Sequence, residues 1–184
     1  MKIGIVYPYY NECRFSPFRE SLEMAMKQFK ADYSIYAMKG EMVKDPKEKL
    51  KLICELRNEG IKKALEENCD AVFITDDDLL LHPLTFVMCA YYLIVEDAVK
   101  VPRKYEGLPF LVTDLLTFKN SQFAGHEPYA ELFSFPVCLK SRVFNFIPKP
   151  FFEPVFPDDH MFALKLHQHG VKVRIAYEVP CISV

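Results

Sequence analysis

Tryptophan is absent from this chain of 184 residues, and glycine occurs only six times. So little glycine excludes collagen-like and Gly-rich linker architectures. None of the six cysteines, at 13, 54, 69, 89, 138 and 181, has a CxxC partner, which argues against a zinc ribbon or a thioredoxin-type redox site. No sign of charge dominates, since 23 Lys and Arg oppose 25 Asp and Glu for a formal net charge of -2. A dedicated nucleic-acid binder needs a strongly basic face, so no nucleic-acid partner is expected. Long hydrophobic runs are also missing. The longest, Leu84 to Val95, includes Thr85 and falls well short of the roughly 20 residues that cross a bilayer. The apolar run behind Met1-Lys2 is too short for a secretory leader. The expectation is a cytoplasmic domain without a transmembrane segment, its thiols reduced and mostly buried as small hydrophobes.

What the chain does have is apolar content, 51 % of residues, enough for one sizeable core. Strand and helix patterns alternate through the first half. Lys2 to Tyr7 reads as a buried strand. Ser16-Pro17 offers a cap and a first helical proline, followed by Phe18, Leu22, Ala25, Met26 and Phe29 at helical spacing. Tyr33 to Met38 is a second strand. Asp45-Pro46 opens a long helix with Leu50, Ile53, Cys54, Ile61, Ala64 and Leu65 on one face, which Gly60 is expected to loosen or bend. Ala71 to Thr75 is a third strand, and a helix after His82-Pro83 carries a stripe of Leu84, Val87, Met88, Tyr91 and Val95.

This order implies right-handed crossovers and a mainly parallel sheet flanked by helices, one α/β domain over residues 1–184. Eight of the 13 prolines fall between Pro102 and Pro157, where short strands and loops are expected. Asp158 then caps a helix with Phe162, Leu166 and His169 that ends at Gly170, and Val171 to Tyr177 alternates as a last strand.

Ligands of such sheets bind beyond the carboxyl ends of the strands, which directs attention to the polar residues there. Asp76-Asp77-Asp78 follows the third strand directly. The run is either a solvated acidic turn or a site for a hard divalent cation, which takes one or two carboxylates plus substrate phosphates. Asp158-Asp159 is a second acidic pair, of which capping needs only one. Arg57 lies on the apolar stripe of its helix, where periodicity favours a snorkelling side chain over a cation aimed at phosphate or the acidic cluster. The histidines at 82, 126, 160, 167 and 169 form no convincing ligand set, and no cysteine has a histidine at nucleophile spacing.

Four blocks, in order from residue 3 to residue 170, resemble the GT-A fold glycosyltransferases, especially family 2. Val6-Tyr7-Pro8-Tyr9-Tyr10-Asn11-Glu12 looks like that family's first strand and nucleotide-binding turn. Arg57-Asn58-Glu59-Gly60-Ile61, with Ala64, is similar to its R-N-x-G segment. Val72 to Asp78 matches the apolar strand running into the DXD motif, with Pro83 beyond. Asp158-Asp159-His160-Met161-Phe162 through Leu166, with Gly170, looks like the E-D-x-x-F-x-x-R-L…G block, Asp and Lys165 replacing Glu and Arg.

The resemblance implies a metal-dependent enzyme moving a sugar from a nucleotide-sugar to an acceptor hydroxyl of a sugar, glycan, lipid or protein, with inversion. It divides the domain into a donor-binding half, 1–100, and an acceptor and catalytic-base half, 101–184. Pro8, Tyr9, Tyr10, Asn11, Glu12, Arg57, Asp76 and Asp77 would contact the donor. Asp78, with Asp76, would hold Mn²⁺ or Mg²⁺, and Asp159 would be the general base.

Ala37-Met38-Lys39-Gly40 stands where relatives carry an acidic D-D-x-S grip on the base, so the donor base is left unassigned. The downstream histidine that completes the metal site in many relatives has no counterpart before Val184. Two other readings stay open. A haloacid-dehalogenase-like Mg²⁺ phosphatase also uses D-x-D, although Leu80 takes the place of its threonine, and a GT-A-like module could bind a nucleotide without turnover. Acceptor contacts are expected in the proline-rich middle, with Tyr105, Phe110, Phe123, Tyr129, Phe151 and Phe152 as candidates and the core as their alternative use.

Overall fold

Ile3, Ile5 and Tyr7 at alternate positions, with Val6 between them on the other side, make Ile3–Tyr9 (β1) a strand that must be covered on both faces. The computed structural model describes residues 1–10, 12–104, 111–113, 120–122, 129–130, 135–156 and 158–183. After β1 come α1 (Glu12–Phe29), β2 (Tyr33–Lys39), α2 (Pro46–Glu66), β3 (Ala71–Ile74), β4 (Leu79–Leu80), α3 (Thr85–Tyr92), β5 (Ala98–Lys100) and β6 (Arg103–Lys104). The strands β7 (Leu111–Thr113), β8 (Asn120–Gln122), β9 (Tyr129–Ala130) and β10 (Val137–Lys140) follow. A short 3-10 helix (Ser141–Asn145), α4 (Asp158–Gln168), β11 (Val173–Ile175) and β12 (Cys181–Ser183) complete the order.

The main sheet runs β2-β1-β3-β10-β5-β11-β9. Strands β2, β1, β3, β5 and β11 point one way, and β10 and β9 point the other. The sheet is therefore mostly parallel, as expected, with antiparallel additions from the proline-rich half. Side chains alternate between two cores. Ile3, Ile5, Tyr7, Phe73 and Cys138 meet Phe18 and Leu22 of α1 and Phe86 of α3 on one face. Val6, Val72, Ile74, Val137 and Leu139 meet Ile61 and Ala64 of α2 and Phe162 and Leu166 of α4 on the other. Cys54, Cys69, Cys89, Cys138 and Cys181 are buried and unbridged. No helix among the described residues is long and apolar enough to cross a membrane.

The helices correct several expectations. α1 begins at Glu12, so Pro17 lies inside it rather than at its start. Asp45 does cap α2, accepting from Lys47 N at 2.7 Å and Glu48 N at 3.4 Å, with Pro46 in the first turn. α2 runs unbroken through Gly60. This glycine lets the helix press on β1, because a Cβ there would stand 2.5 Å from Val6 Cγ1. α3 buries Thr85, Phe86 and Cys89, while Leu84, Tyr91 and Val95 of the expected stripe are exposed. A segment apolar at nearly every position carries no periodic signal by which to choose its inner face. Gly170 ends α4 in the left-handed region at φ 70°, as its position beyond the last apolar residue foretold.

Candidate active site

Parallel strands deliver their carboxyl ends to one rim. β1 leads there to Tyr10, β3 to Thr75 and Asp76, and β5 to Lys100. Antiparallel β10 starts at the same rim, since Val137 pairs with both Ile74 and Lys100, and this brings Phe135 to its edge. A small sheet, β4-β12-β6, then ties two further segments together. Ile182 pairs with Leu80, just past the aspartate run, and Cys181 pairs with Arg103. Arg103 is thereby held beside Asp78.

Arg57 is the joint of the site. It extends from α2, is only 5 % exposed, and bonds two acidic segments at once. Its Nη2 donates to Asp76 Oδ1 at 2.5 Å, and its Nη1 donates to Asp158 Oδ2. The guanidinium lies 4.3 Å from the centroid of the Phe135 ring and 5.4 Å from that of Phe152. Burial opposes its charge, but Asp76 and then Asp158 more than offset that cost and hold the proton more firmly than usual. The snorkelling reading of Arg57 is overturned. Asp158, read as a helix cap, points its carboxylate at Arg57 and lies 3.8 Å from Cys54 Sγ. Burial, with Asp158 adding to it, pushes the Cys54 thiol up to about 12, so it is no thiolate nucleophile.

Asp76 has a second cation. Arg103 Nη2 stands 3.5 Å from Asp76 Oδ2 and 3.4 Å from Asp78 Oδ1. Tyr10 packs its ring over Gly40, where a Cβ would come within 2.1 Å. Its hydroxyl is pushed up to about 12, first by burial and also by Asp77 and Asp76, against the pull of Arg57. Asp77 likewise helps to raise Tyr7. Tyr10, Arg57, Asp76 and Asp77 thus share one neighbourhood. Tyr9 accepts at its carbonyl from Gly40 N at 3.0 Å, and Pro8 is a buried residue of β1 past the last β1–β3 pair, Val6 with Ile74. Asn11 lies outside the described residues, and Glu12 opens α1.

Asp159 sits beside Asp158 in the first turn of α4. Its charge acts on Lys100, a side chain 1 % exposed at the end of β5. Burial depresses the Lys100 ammonium to about 8, Asp159 resists that shift, and Arg103 assists it. Asp78 and Asp159 therefore occupy the same rim, linked through Arg103, Asp76, Arg57 and Asp158. Among the described residues no group of three or more His, Cys, Asp or Glu side chains is arranged to hold a metal ion.

Sequence reasoning missed Arg103, Lys100 and Phe135. Only Lys100 carries a local sign, a charge between the apolar residues Ala98-Val99 and Val101. Of the aromatics considered for the acceptor, Phe151 and Phe152 are core, 4 % and 1 % exposed. Tyr105, Phe110 and Phe123 lie outside the described residues.

No protein-family model matches the chain, and no curated protein matches it in sequence. Its structure does have counterparts. A197 from STIV superposes with a TM-score of 0.68 at 14 % identity, over 100 % of this chain and 86 % of that one. Residues 1-349 of S. aureus TarS give 0.67 at 15 % identity, over 100 % and 60 %. The catalytic domain of Drosophila beta1,4-galactosyltransferase 7, crystallised with xylobiose, gives 0.61 at 14 % identity, over 96 % and 65 %. The chain thus spans 65 % of the galactosyltransferase domain and 60 % of the TarS fragment. The fold is α/β and GT-A-like, and these solved structures share it.

Proposed function

We propose that this chain is a glycosyltransferase that moves a sugar from a nucleotide-sugar to an acceptor hydroxyl, with the aid of Mn²⁺ or Mg²⁺ and with inversion at the anomeric carbon. The observation that carries the reading is Arg57, which bonds Asp76 and Asp158 and so brings both acidic segments to one rim beyond the strand ends. Structures of the same fold support the substrate class. One of TarS residues 1-349 is in complex with UDP-GlcNAc, and one of a galactosyltransferase 7 mutant is in complex with manganese, UDP-Gal and xylobiose.

Pro8, Tyr9, Tyr10, Asn11, Glu12, Arg57, Asp76 and Asp77 are the residues we assign to the donor. Asp76 and Asp78 supply hard oxygen donors for a divalent ion. A divalent ion that takes one or two carboxylates together with substrate phosphates would be held by these two side chains. When bound, such an ion offsets the phosphate charge and stabilises the departing nucleoside diphosphate.

Asp159 takes the proton of the acceptor hydroxyl as its oxygen bonds to the anomeric carbon. The bond from that carbon to phosphate oxygen breaks, and its electron pair leaves with the diphosphate. A single displacement of this kind inverts the centre. A positioned base supplies on the order of 10²–10⁴-fold in rate.

The test is a panel of nucleotide-sugars, with Mn²⁺, with Mg²⁺ and with EDTA. The expected result is slow metal-dependent hydrolysis of one donor, faster once an acceptor is present. If no donor binds or turns over under saturating metal, the reading falls. Hydrolysis of generic phosphate esters would favour a phosphatase, and binding without transfer a non-catalytic module.

A further inference from the structure

Residues 148–156 lead from the 3-10 helix toward α4 with neither helix nor strand, yet side chains hold their main chain from two sides. Lys165 of α4 sends Nζ to Pro150 O at 2.7 Å, Phe151 O at 3.4 Å and Glu153 Oε1 at 2.5 Å. From α2, Cys54 Sγ donates to Glu153 O at 3.3 Å. Asn58 does more. Its Nδ2 donates to Phe152 O at 2.8 Å, and its Oδ1 accepts from Phe152 N at 3.0 Å. An amide can do this because it carries a donor and an acceptor side by side, and the two bonds fix the orientation of the backbone as well as its distance. Phe152 itself is 1 % exposed, its ring stacked on Phe162 at 4.4 Å and 5.4 Å from the Arg57 guanidinium. Phe162 stands one turn after Asp158 and Asp159 on α4.

We infer that Asn58 is a positioning residue for Asp159: it fixes Phe152, and Phe152 fixes the start of α4 through Phe162. The inference rests on the glycosyltransferase reading for what Asp159 does, and on the hydrogen bonds and ring contact for what holds it. Arg57 and Asn58 are consecutive on α2. Arg57 takes the carboxylate of Asp158, and Asn58 takes the backbone of the segment that leads to it. The ion pair alone would leave α4 to pivot about one carboxylate, and the Asn58 clamp removes that freedom. Phe152, Phe162 and Leu166 belong to one close-packed core, so a shift of the first is passed to the others. Without Asn58 the Phe152 N–H and carbonyl lose their partners beside a buried ring, and the segment must move to regain them from water. A base works only within hydrogen-bond reach of its proton, so a displacement of about 1 Å costs up to about a hundredfold in rate. Tyr10, Asp76 and Asp77 follow β1 and β3 instead, so donor affinity should change little.

The experiment compares the natural full chain with Asn58→Ala and Asn58→Asp by hydrogen exchange, donor titration and steady-state kinetics. Asn58→Asp keeps the acceptor for Phe152 N but sets a carboxylate oxygen against the Phe152 carbonyl, and it serves where alanine impairs folding. In both variants the amides of residues 150–156 and of the first two turns of α4 should exchange several-fold faster, with β1 and β3 unchanged. On the donor that the natural protein turns over, kcat should fall roughly ten- to hundredfold while donor affinity stays within about twofold. Unchanged exchange over 150–156 overturns the clamp, and acceleration spread equally over β1 and β3 overturns a local role. Local loosening with an unchanged kcat, or with kcat and donor affinity lost together, overturns the link to Asp159. A natural protein that turns over no donor sinks the glycosyltransferase reading and the role of Asp159 with it, while local loosening would still uphold the clamp.

Discussion

Arg57 and Asp158 are 101 residues apart in the chain and meet as a buried ion pair at the rim of the sheet. The pair joins α2 to the start of α4, and the same guanidinium reaches Asp76 after β3. Removing one partner of a buried pair leaves the other charged and desolvated. Arg57→Met should therefore lower stability by about 3–5 kcal/mol in urea unfolding. Arg57→Lys should recover little, because one ammonium cannot span two carboxylates and stack on Phe135. Near-complete recovery by lysine would show that charge alone, not the bridge, is what matters.

Asp159 is assigned the base, and Asp158 is assigned to structure. Asp159→Asn should reduce transfer by roughly 10²–10⁴-fold while donor affinity stays nearly constant. Asp158→Asn should instead lower the midpoint of unfolding, since it strips Arg57 of a partner. Steady-state rates, donor titration and urea curves on both variants separate these outcomes. Equal loss of donor affinity in Asp159→Asn would contradict its role.

Much of the site's position was legible locally because strand ends are local. Asp76-Asp77-Asp78 follows an unmistakable apolar run, and Asp45-Pro46 announces the helix that carries Arg57. What Arg57 does there was not legible. Periodicity reports the face a residue occupies, but the acidic partner above it arrives from residue 158. Arg103 and Lys100 were hidden for a related reason. Their place depends on β5 joining β10 and β11 and on β6 joining β12, pairings made over long stretches of chain that no short window contains. α3 failed oppositely, through too many apolar residues rather than too few.

Gly60 sits one turn beyond Arg57 on α2, and two effects of Gly60→Ala compete. Alanine favours a helix by about 1 kcal/mol, while its Cβ would stand 2.5 Å from Val6 Cγ1 and 3.3 Å from Met38 Cγ. Val6 is a fully buried residue of a central strand and has no room to yield. Overpacking of this kind costs about 1–3 kcal/mol, so the clash should win. Thermal unfolding should show a lower midpoint. Donor affinity should fall with it, because a shift of α2 away from β1 moves Arg57 relative to Asp76.

Lys100 makes stability depend on pH in a direction that can be worked out. Burial lowers its pKa from the ordinary 10.5 to about 8, with Asp159 resisting. Between those values the unfolded chain holds a proton that the folded protein has released, so stability rises with pH across this window. Below about 8 both states are protonated and the folded protein bears the full cost of a buried ammonium, at most about 3 kcal/mol. Tyr7, Tyr10 and Cys54, all raised to about 12, act oppositely at high pH, so the comparison must be differential. Lys100→Met removes this one contribution and leaves the others common to both proteins. Its stability relative to the natural chain should be highest below pH 8 and decline steadily toward pH 10.5 in urea unfolding. A difference that stays flat across that range would mean that Lys100 keeps an ordinary pKa, and that Asp159 compensates its burial in full.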